Sequence, residues 1–322
     1  MRSRPLGRTG IDVSEIGFGA WGLGATMWRG VADDDALTAV RAALDAGVTF
    51  IDTALAYGDG HSERLLAKSS EHAVVATKIP PLDGAWPAAE SSKIEDVFPA
   101  HHVRAATESS LRNLGGGPIA LQQFHVWHDA WLRQPGWAAT RREMEALVAE
   151  GKVRHWGISI NDHAPETALG ALHDPLFETA QVIYNIFDRS PETALFPLAL
   201  EKSIGIIVRV PFDEGTLTGT VHADTVFPDG DWRHRYFSGD RRAEAGRHAD
   251  ALRPLLGAEA GSLPELALRF VLQRPEVSTV IPGMRRADHA RKNAAVSDGR
   301  RLTSSLLAGL SAHAWTKNWY EA

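Results

Sequence analysis

The feature that most constrains the fold is an alternation of apolar runs with helical patterns, repeated eight times along the chain. Strands that alternate with helices form parallel βαβ units. Eight such units favour an α/β fold of the closed (β/α)8 TIM-barrel type over a doubly wound open sheet. The dinucleotide fingerprint that usually accompanies the open sheet is also missing. The predicted strands are residues 13–18, 50–52, 73–78, 119–125, 153–159, 180–184, 205–210 and 277–281.

Smaller elements flank the predicted barrel. Residues 1–16 alternate polar and apolar positions around a Gly-Arg-Thr-Gly segment, which predicts an N-terminal β-hairpin. Residues 302–322 predict a C-terminal helix followed by an aromatic tail. Between the strands, residues 164–172 predict a helix and residues 212–240 a long polar loop. Since no break in composition marks a linker, we predict one domain over residues 1–322.

Composition argues against several classes of function. The chain has 40 acidic and 34 basic side chains, and its net charge of −6 argues against a general nucleic-acid or anionic-membrane binder. The absence of cysteine excludes disulfides, thiol nucleophiles and cysteine-ligated zinc. The N-terminal sequence lacks the apolar core of a signal peptide, and no apolar run is long enough to span a membrane. We therefore expect a cytoplasmic protein.

Four ionisable residues follow consecutive predicted strands. Asp52 ends the second strand, Tyr57 lies in the loop after it, Lys78 ends the third strand and His125 ends the fourth. The carboxyl ends of parallel strands meet on one side of an α/β protein, where active sites are found. Alone, each residue has an ordinary structural explanation: a loop cap, a packed tyrosine, a solvated lysine or a core histidine. Their arrival at one rim makes a shared active site the better interpretation.

Motifs along nearly the whole chain resemble those of the aldo-keto reductase superfamily, in the same order. They are Asp52-Thr53-Ala54 with Tyr57-Gly58, Thr77-Lys78, Gln123-Phe124-His125, Gly151-Lys152-Val153-Arg154 with Gly157-Ile158-Ser159, Gln181-Val182-Ile183-Tyr184-Asn185, Gly215-Thr216-Leu217-Thr218-Gly219, and Ile281-Pro282-Gly283 with Asn293. The resemblance implies a TIM-barrel enzyme that reversibly reduces an aldehyde or ketone to an alcohol with NADP(H). It also implies a catalytic tetrad, which is Asp52, Tyr57, Lys78 and His125.

The chemistry of carbonyl reduction explains why these residue types are needed. A hydride must reach the carbon, and a proton must reach the oxygen. Tyrosine has a reference pKa of about 10, and we expect the Lys78 ammonium to lower the pKa of Tyr57, the proton donor. Asp52, paired with Lys78, would keep the ammonium charged and oriented. His125 would donate a hydrogen bond to the carbonyl oxygen and polarise it.

The resemblance also implies where the nicotinamide ring would bind. It places Ser159 and Gln181 on the carboxamide. The family often has asparagine directly after this serine, but here Ile160 intervenes before Asn161, so a contact from Asn161 stays open. Arg209 occupies the position at which many members have an aromatic residue beneath the ring. A guanidinium can stack there, and a salt bridge at the rim is the alternative.

Two later segments would hold the phosphates. Residues 211–219 resemble the segment that crosses the pyrophosphate, and a glycine-rich surface turn is the alternative. Residues 281–293 place basic side chains at the start of a predicted helix, an arrangement suited to phosphate, although an exposed basic helix would look the same. The resemblance implies that the phosphate is the adenosine 2′-phosphate, hence NADP(H). The family more often has glutamine and glutamate at the positions of His289 and Lys292, which leaves those two contacts open. The candidate ligands are Pro211, Gly215, Leu217, Gly219, Gly283, Arg285, His289 and Asn293.

Aromatic residues in the predicted loops suggest a substrate pocket. Trp21, Trp86, Trp127 and Trp131 follow strands one, three and four, and we predict that they ring the mouth of the barrel. An aromatic pocket with one polar centre is a normal small-molecule site, although loop tryptophans can equally be packing that covers the barrel top. His125 has a second histidine nearby in sequence but no evident third ligand, so we predict no metal site.

Other functions stay open on the sequence alone. Some barrels resembling this family serve as cofactor-binding, redox-sensing regulatory subunits with little turnover, but the intact tetrad favours catalysis. A lyase or isomerase that works without nicotinamide predicts no NADPH binding. In either enzyme class we expect a small-molecule partner, which is a carbonyl compound or alcohol for a reductase. The oligomeric state is expected to be a monomer or a weak homo-oligomer.

Overall fold

The computed structural model describes residues 1–24, 32–69 and 73–320, and its strands form two sheets. β1 and β2 pair as an antiparallel hairpin. β3 to β10 form an eight-stranded parallel sheet in chain order. The strands are β1 (Ser3–Pro5), β2 (Asp12–Ser14), β3 (Phe18–Gly19), β4 (Phe50–Asp52), β5 (Val74–Ile79), β6 (Ile119–Phe124), β7 (Val153–Ser159), β8 (Phe177–Ile183), β9 (Gly205–Arg209) and β10 (Val277–Val280).

The first and last strands of the parallel sheet meet and close it. Parallel bridges join Ile16, just before β3, to Val280 and Gly19, the last residue of β3, to Gly283. The Gly17 amide donates to the Val280 carbonyl at 2.8 Å, so the contact is a hydrogen-bonded one. Closure removes both sheet edges. The prediction of a (β/α)8 TIM barrel with an N-terminal hairpin is confirmed.

Helices follow most of the strands and cover the outside of the barrel. α1 shows why: Ala36, Ala39, Val40 and Ala43 repeat at helical spacing and are all buried. Among the described residues, no helix is both long and apolar enough to cross a membrane. The helices are α1 (Asp33–Asp45), α2 (His61–Leu66), α3 (Ile94–Val97), α4 (Ala100–Asn113), α5 (Trp137–Ala149), α6 (Leu195–Lys202), α7 (Arg233–Tyr236), α8 (Arg241–Leu252), α9 (Leu263–Leu272), α10 (Ala287–Ala295) and α11 (Ser304–Ser311).

A separate apolar cluster fills one end of the barrel lumen. It includes Phe50, Ala76, Leu121 and Ile207, which lie on four different strands. Side chains two positions apart on a strand share a face. The residues two positions further on must therefore point into the same lumen, one layer closer to the carboxyl ends of the strands. Those residues are Asp52, Lys78, Gln123 and Arg209.

The hairpin closes the opposite end of the barrel. Gly7, between its strands, has a φ of +55°, and a Cβ built there would lie 2.1 Å from the Gly205 amide nitrogen at the start of β9. Only glycine permits both this conformation and this approach. Leu6 joins the apolar cluster in the lumen and is fully buried. Access to the lumen must therefore come from the carboxyl ends of the strands.

Several predicted boundaries are wrong, and side-chain hydrogen bonds explain two of them. Residues 13–18 do not form one strand, because the Ser14 hydroxyl donates to the Ile16 carbonyl at 2.7 Å and separates β2 from β3. Residues 164–172 do not form an α-helix. They form 3₁₀ turns at Pro165–Ala168 and Ala171–His173, since the Asp129 carboxylate accepts the amide hydrogens of residues 170 and 171.

The segment predicted as a polar loop over residues 212–240 is also more ordered than expected. It contains short 3₁₀ turns over Asp213–Thr218, which are interrupted by non-helical backbone at Glu214 and Gly215, and helix α7. Its apolar side chains form a cluster of their own with the C-terminal tail, which the spacing of polar residues did not reveal. The predicted C-terminal helix is present as α11, while the last two residues of the predicted tail lie outside the described part of the chain. The members of the cluster are Val221, Phe227, Trp232, Tyr236, Phe237, Ala245, Trp319 and Tyr320.

Candidate active site

Three predicted site residues lie at the carboxyl ends of neighbouring strands. Asp52 is the last residue of β4, Lys78 lies near the end of β5, and His125 directly follows β6. The register fixes their relative height, since Asp52 pairs with Ala76 and Lys78 pairs with Gln123. All three side chains are buried, with fractional exposures of 2 % for Asp52, 0 % for Lys78 and 6 % for His125. The structure therefore brings them together as the sequence predicts.

The centre of the site is a buried ion pair. Lys78 Nζ lies 2.5 Å from Asp52 Oδ2 and donates a second hydrogen bond to the Thr53 carbonyl at 2.8 Å. A lone ammonium or carboxylate at this depth would be costly, and each charge makes the other tolerable. An ammonium has three N–H donors, so two of them fix its position.

Two glutamines that point into the lumen hold the other oxygen of Asp52. Gln181 Nε2 donates to Asp52 Oδ1 at 2.7 Å, and Gln123 Nε2 donates to the same atom at 3.3 Å. The sequence prediction had assigned Gln181 to the cofactor and no role to Gln123. Gln123 stands two residues before His125 and opposite Lys78 in register, and that spacing is the signal that could have identified it.

Tyr57 reaches the site from the loop after β4. Its ring centroid lies 5.2 Å from Lys78 Nζ and 5.6 Å from the His125 ring. Gly58 follows in a left-handed conformation (φ +66°), and a Cβ there would lie 2.2 Å from the Gly24 carbonyl oxygen. This close contact packs the loop after β3 against the loop that carries Tyr57. The four predicted tetrad residues thus share one site.

Burial controls the protonation of the site. Desolvation raises the pKa of Tyr57 well above its ordinary value, the Asp52 charge raises it further, and Arg209 acts in the opposite direction. The pKa of Tyr57 is therefore raised and not lowered as expected, because burial and the Asp52 charge dominate. Burial lowers the pKa of Lys78, and Asp52 works against that loss of charge. Burial, together with the charges of Lys78 and Arg209, lowers the pKa of His125 well below its ordinary value.

These directions define what each group can do near neutral pH. Tyr57 carries its phenolic proton and can donate it. His125 is a neutral imidazole with one N–H donor, and within the described residues its buried Nδ1 has no hydrogen-bond partner. A proton donor and a neutral hydrogen-bond donor next to a buried cation can stabilise negative charge that develops on an oxygen between them.

Two of the predicted pocket tryptophans lie beside His125 and Tyr57. Trp86 packs edge-on against His125 at 4.5 Å and is 47 % exposed. Trp21 lies 6.5 Å from the Tyr57 ring. A residue that was not predicted, Trp232, packs on Trp21 at 5.1 Å from the segment after β9. The mouth of the barrel is therefore aromatic on at least two sides.

Trp127 does not lie at the mouth, which corrects the prediction. It is fully buried, with ring contacts at 5.2–5.6 Å to Phe177, Trp137 and Phe124 in the core outside the barrel. Trp131 is buried in the same cluster. The turn after His125 directs both indoles outward onto the helices, a direction that position in a loop does not reveal.

Ser159 is the last residue of β7. Its register partner is Gln181, which lies two residues before the end of β8. Both are buried and both point into the lumen. The Gln181 amide nitrogen donates to Asp52 at 2.7 Å and to the Gln123 carbonyl oxygen at 3.4 Å, so the carbonyl oxygen of Gln181 is the atom that can accept from a carboxamide. The side chain of Asn161 is already hydrogen-bonded within the protein. It accepts from the Ala88 amide at 3.1 Å and donates to the Ala88 carbonyl at 2.9 Å. Asn161 therefore connects two loops.

Arg209 forms the rim salt bridge that was the alternative prediction. Its Nη2 donates to Asp162 Oδ1 at 2.7 Å and to the Ile160 carbonyl at 2.9 Å. Burial works against this charge, but Asp162 and Tyr320 help to raise the pKa of Arg209 above its ordinary value. The guanidinium is thus a fixed cation in the upper lumen, close enough to influence Tyr57.

The basic segment after β10 faces the glycine-rich loop after β3. The Arg285 side chain covers Gly22, where a Cβ would lie 2.8 Å from Arg285 Cδ. Burial and the neighbouring Arg233 lower the pKa of Arg285, while Asp231 raises it. Guanidinium groups are suited to binding phosphate. Asn293 is buried on α10, whereas His289 and Lys292 are exposed.

No metal site competes with this interpretation in the described ranges, where no three histidine, aspartate or glutamate side chains are grouped as metal ligands. The donors that are present suit an organic cofactor instead. A buried serine and a glutamine face the lumen, and arginines lie at a helix start. The lining therefore fits a nicotinamide dinucleotide.

Comparison with known proteins agrees with the geometry. The model of the Aldo/keto reductase family matches residues 15–314. The chain is 32 % identical over 302 residues to the aldo-keto reductase YhdN of Bacillus subtilis, covering 89 % of this chain and 86 % of that protein. It is 28 % identical over 316 residues to the NADH-specific methylglyoxal reductase of Escherichia coli, covering 92 % and 93 % of the two chains. Among solved structures, the glycerol dehydrogenase AKR11B4 of Gluconobacter oxydans superimposes with a TM-score of 0.77 at 27 % identity, covering 97 % of this chain and 94 % of that one.

Proposed function

The chain belongs to the aldo/keto reductase family, and we propose that it reduces an aldehyde or ketone with NADPH, using Tyr57 as the proton donor. Carbonyl reduction of a small molecule is the general activity of the family. One observation supports the specific proposal most strongly. The Asp52–Lys78 ion pair is buried in the upper lumen, with the Tyr57 ring 5.2 Å from the ammonium and 5.6 Å from His125.

Tyr57 and His125 would act on the carbonyl oxygen. As negative charge develops there, the neutral His125 donates a hydrogen bond and the Tyr57 phenol transfers its proton. Lys78 has one N–H that is not used by Asp52 or Thr53, and that donor can stabilise the phenolate left behind. A fixed donor set of this kind requires no reorganisation during the reaction.

The nicotinamide cofactor, when bound, supplies the hydride. Ser159 and Gln181 would bind the carboxamide, and the partly buried Arg209 would lie near the ring. The loop from Pro211 to Gly219 would cross the pyrophosphate, with the glycines allowing close approach of the backbone. The proposed cofactor contacts in these last two segments are Pro211, Gly215, Leu217, Gly219, Gly283, Arg285, His289 and Asn293.

The preference for NADPH over NADH rests on the basic segment after β10. Arg285 lies near a second guanidinium and at the start of α10, where a phosphate is favoured. A relative specific for NADH exists, so the two cofactors must be compared directly. We expect kcat/KM to be at least tenfold higher with NADPH.

The proposal is tested by following the oxidation of NADPH and NADH with a panel of small aldehydes and ketones. Tyr57→Phe removes only the phenolic oxygen. We expect it to lower kcat by about 100- to 10,000-fold while the Kd for NADPH stays within about threefold of wild type. Full activity in this variant would refute the assignment of the proton donor. A wild-type protein that binds neither cofactor would refute the proposed function.

A further inference from the structure

The loop after β9 holds an unusual series of backbone conformations. Val210, Asp213 and Glu214 have φ values of +54°, +48° and +54°. These are left-handed conformations, which cost non-glycine residues about 1–3 kcal/mol each and persist only where neighbouring groups enforce them. The adjacent Gly215 adopts φ +110° without this cost. Something outside the loop must hold the two acidic residues.

The C-terminal segment supplies both contacts. Lys317 Nζ lies 2.6 Å from Asp213 Oδ1, and the exposures of the two side chains are only 5 % and 1 %. The Tyr320 hydroxyl donates a hydrogen bond to the next carboxyl, that of Glu214. Each of two consecutive acidic side chains in the loop thus has its own partner in the tail, more than 100 residues away in sequence.

Aromatic packing keeps the tail in place. The Tyr320 ring stacks on Trp232 at 6.0 Å and contacts Tyr236 at 5.0 Å. Trp319 packs on Tyr236 at 5.5 Å. Because Trp232 also packs on Trp21 beside Tyr57, the tail is connected to the aromatic wall of the active site. It is therefore a part of the rim.

Charge explains why Lys317 is needed. A dinucleotide pyrophosphate is anionic, and two carboxylates in the loop that crosses it would repel it. Lys317 neutralises Asp213. Glu214 is buried among acidic groups, and burial together with Asp213 raises its pKa to about 7, so it accepts the Tyr320 hydrogen bond with much of its charge suppressed near neutral pH.

We propose that Lys317 and Tyr320 are positioning residues that hold the loop of residues 211–219 over the cofactor and thereby set the rate at which the cofactor dissociates. This inference rests on the proposed function, since it assumes that the loop crosses the pyrophosphate. It assigns the C-terminal tail a role in cofactor retention, acting through Asp213 and Glu214.

The test measures the dissociation of NADPH directly. The bound cofactor is displaced in a stopped-flow instrument and followed by its fluorescence, in the absence of substrate. Tyr320→Phe keeps the ring and its stacking but removes the hydroxyl, and Lys317→Met removes the charge. We expect each to raise the dissociation rate about tenfold, the equivalent of one lost buried hydrogen bond, and Lys317→Arg to recover most of the loss.

A matched control separates cofactor retention from general stability. Tyr184 makes a comparable hydrogen bond, because its hydroxyl donates to Glu192 at 2.7 Å, just before α6 in the chain. Tyr184→Phe should lower the melting temperature without changing the dissociation rate. If Tyr320→Phe and Lys317→Met behave like this control, the inference is wrong and the tail contacts are structural only. A wild type that binds no cofactor would instead refute the proposed function itself.

Discussion

Glu214 offers a quantitative test of how the tail and the loop are joined. Its carboxyl is 6 % exposed. Burial raises its pKa, as do Asp213 and Asp162, while the Tyr320 hydroxyl and Arg209 lower it, and the result is a pKa of about 7 against an ordinary value of 4.5. The folded protein therefore holds this proton more tightly than the unfolded chain does.

The sign of the effect on stability follows from that difference. Below the unfolded pKa both states are protonated at Glu214, and its contribution to stability is fully present. As the pH rises toward and through about 7, the unfolded chain has already released the proton, and the folded state must lose it at a cost. Each pKa unit is worth about 1.4 kcal/mol, so the group accounts for a loss of about 3 kcal/mol between pH 4 and pH 8.

The assay compares urea unfolding of wild type and Glu214→Gln across that pH range. The amide keeps the size and the hydrogen-bonding capacity of the protonated carboxyl but does not titrate. The free energy of unfolding of wild type, relative to the variant, should fall by about 3 kcal/mol as the pH rises. Exposed Glu90 provides the control, since Glu90→Gln should follow wild type at every pH. Parallel profiles for wild type and Glu214→Gln would refute the argument.

Other outcomes follow from the same geometry. Asp52→Asn should lower kcat/KM at least 100-fold. Because the buried Lys78 ammonium loses its counterion, the decline of kcat/KM with rising pH should begin at a lower pH than in wild type. A pH–rate profile measures both effects. Trp127→Ala should lower the free energy of unfolding by about 3–5 kcal/mol, measured by thermal unfolding, and leave the substrate KM unchanged. Trp86→Ala should raise the substrate KM about tenfold and lower the free energy of unfolding by less than about 1 kcal/mol. Arg285→Leu should raise the KM for NADPH at least tenfold and that for NADH less than twofold, which steady-state kinetics with both cofactors would show.

The shared position of Asp52, Lys78 and His125 could be predicted from sequence because it depends on few assumptions. Once β4, β5 and β6 are recognised as parallel neighbours, the carboxyl ends that carry Asp52, Lys78 and His125 must meet. No comparable rule predicts the direction in which a side chain in a loop points. Trp86 and Trp127 both follow strands, yet one packs on His125 and the other lies in the core behind it.

Contacts between distant segments were the least predictable. The pairing of Asp213 with Lys317 and of Glu214 with Tyr320 leaves no periodic trace in either segment. A local interpretation classified the first segment as a polar loop and the second as a tail. Only the folded chain shows that Lys317 neutralises Asp213 and that Tyr320 donates a hydrogen bond to Glu214.

Burial is the common cause of the three protonation states at the site. It raises the pKa of Tyr57, lowers the pKa of His125, and lowers the pKa of Lys78 against the opposing effect of Asp52. Under the proposed function this favours reduction near neutral pH, since the donor already holds the proton that the substrate needs. Oxidation of an alcohol requires Tyr57 to be deprotonated first. Under the same proposal the reverse reaction would depend on high pH. The two glutamines on Asp52 would help to hold the ion pair on which both directions rely.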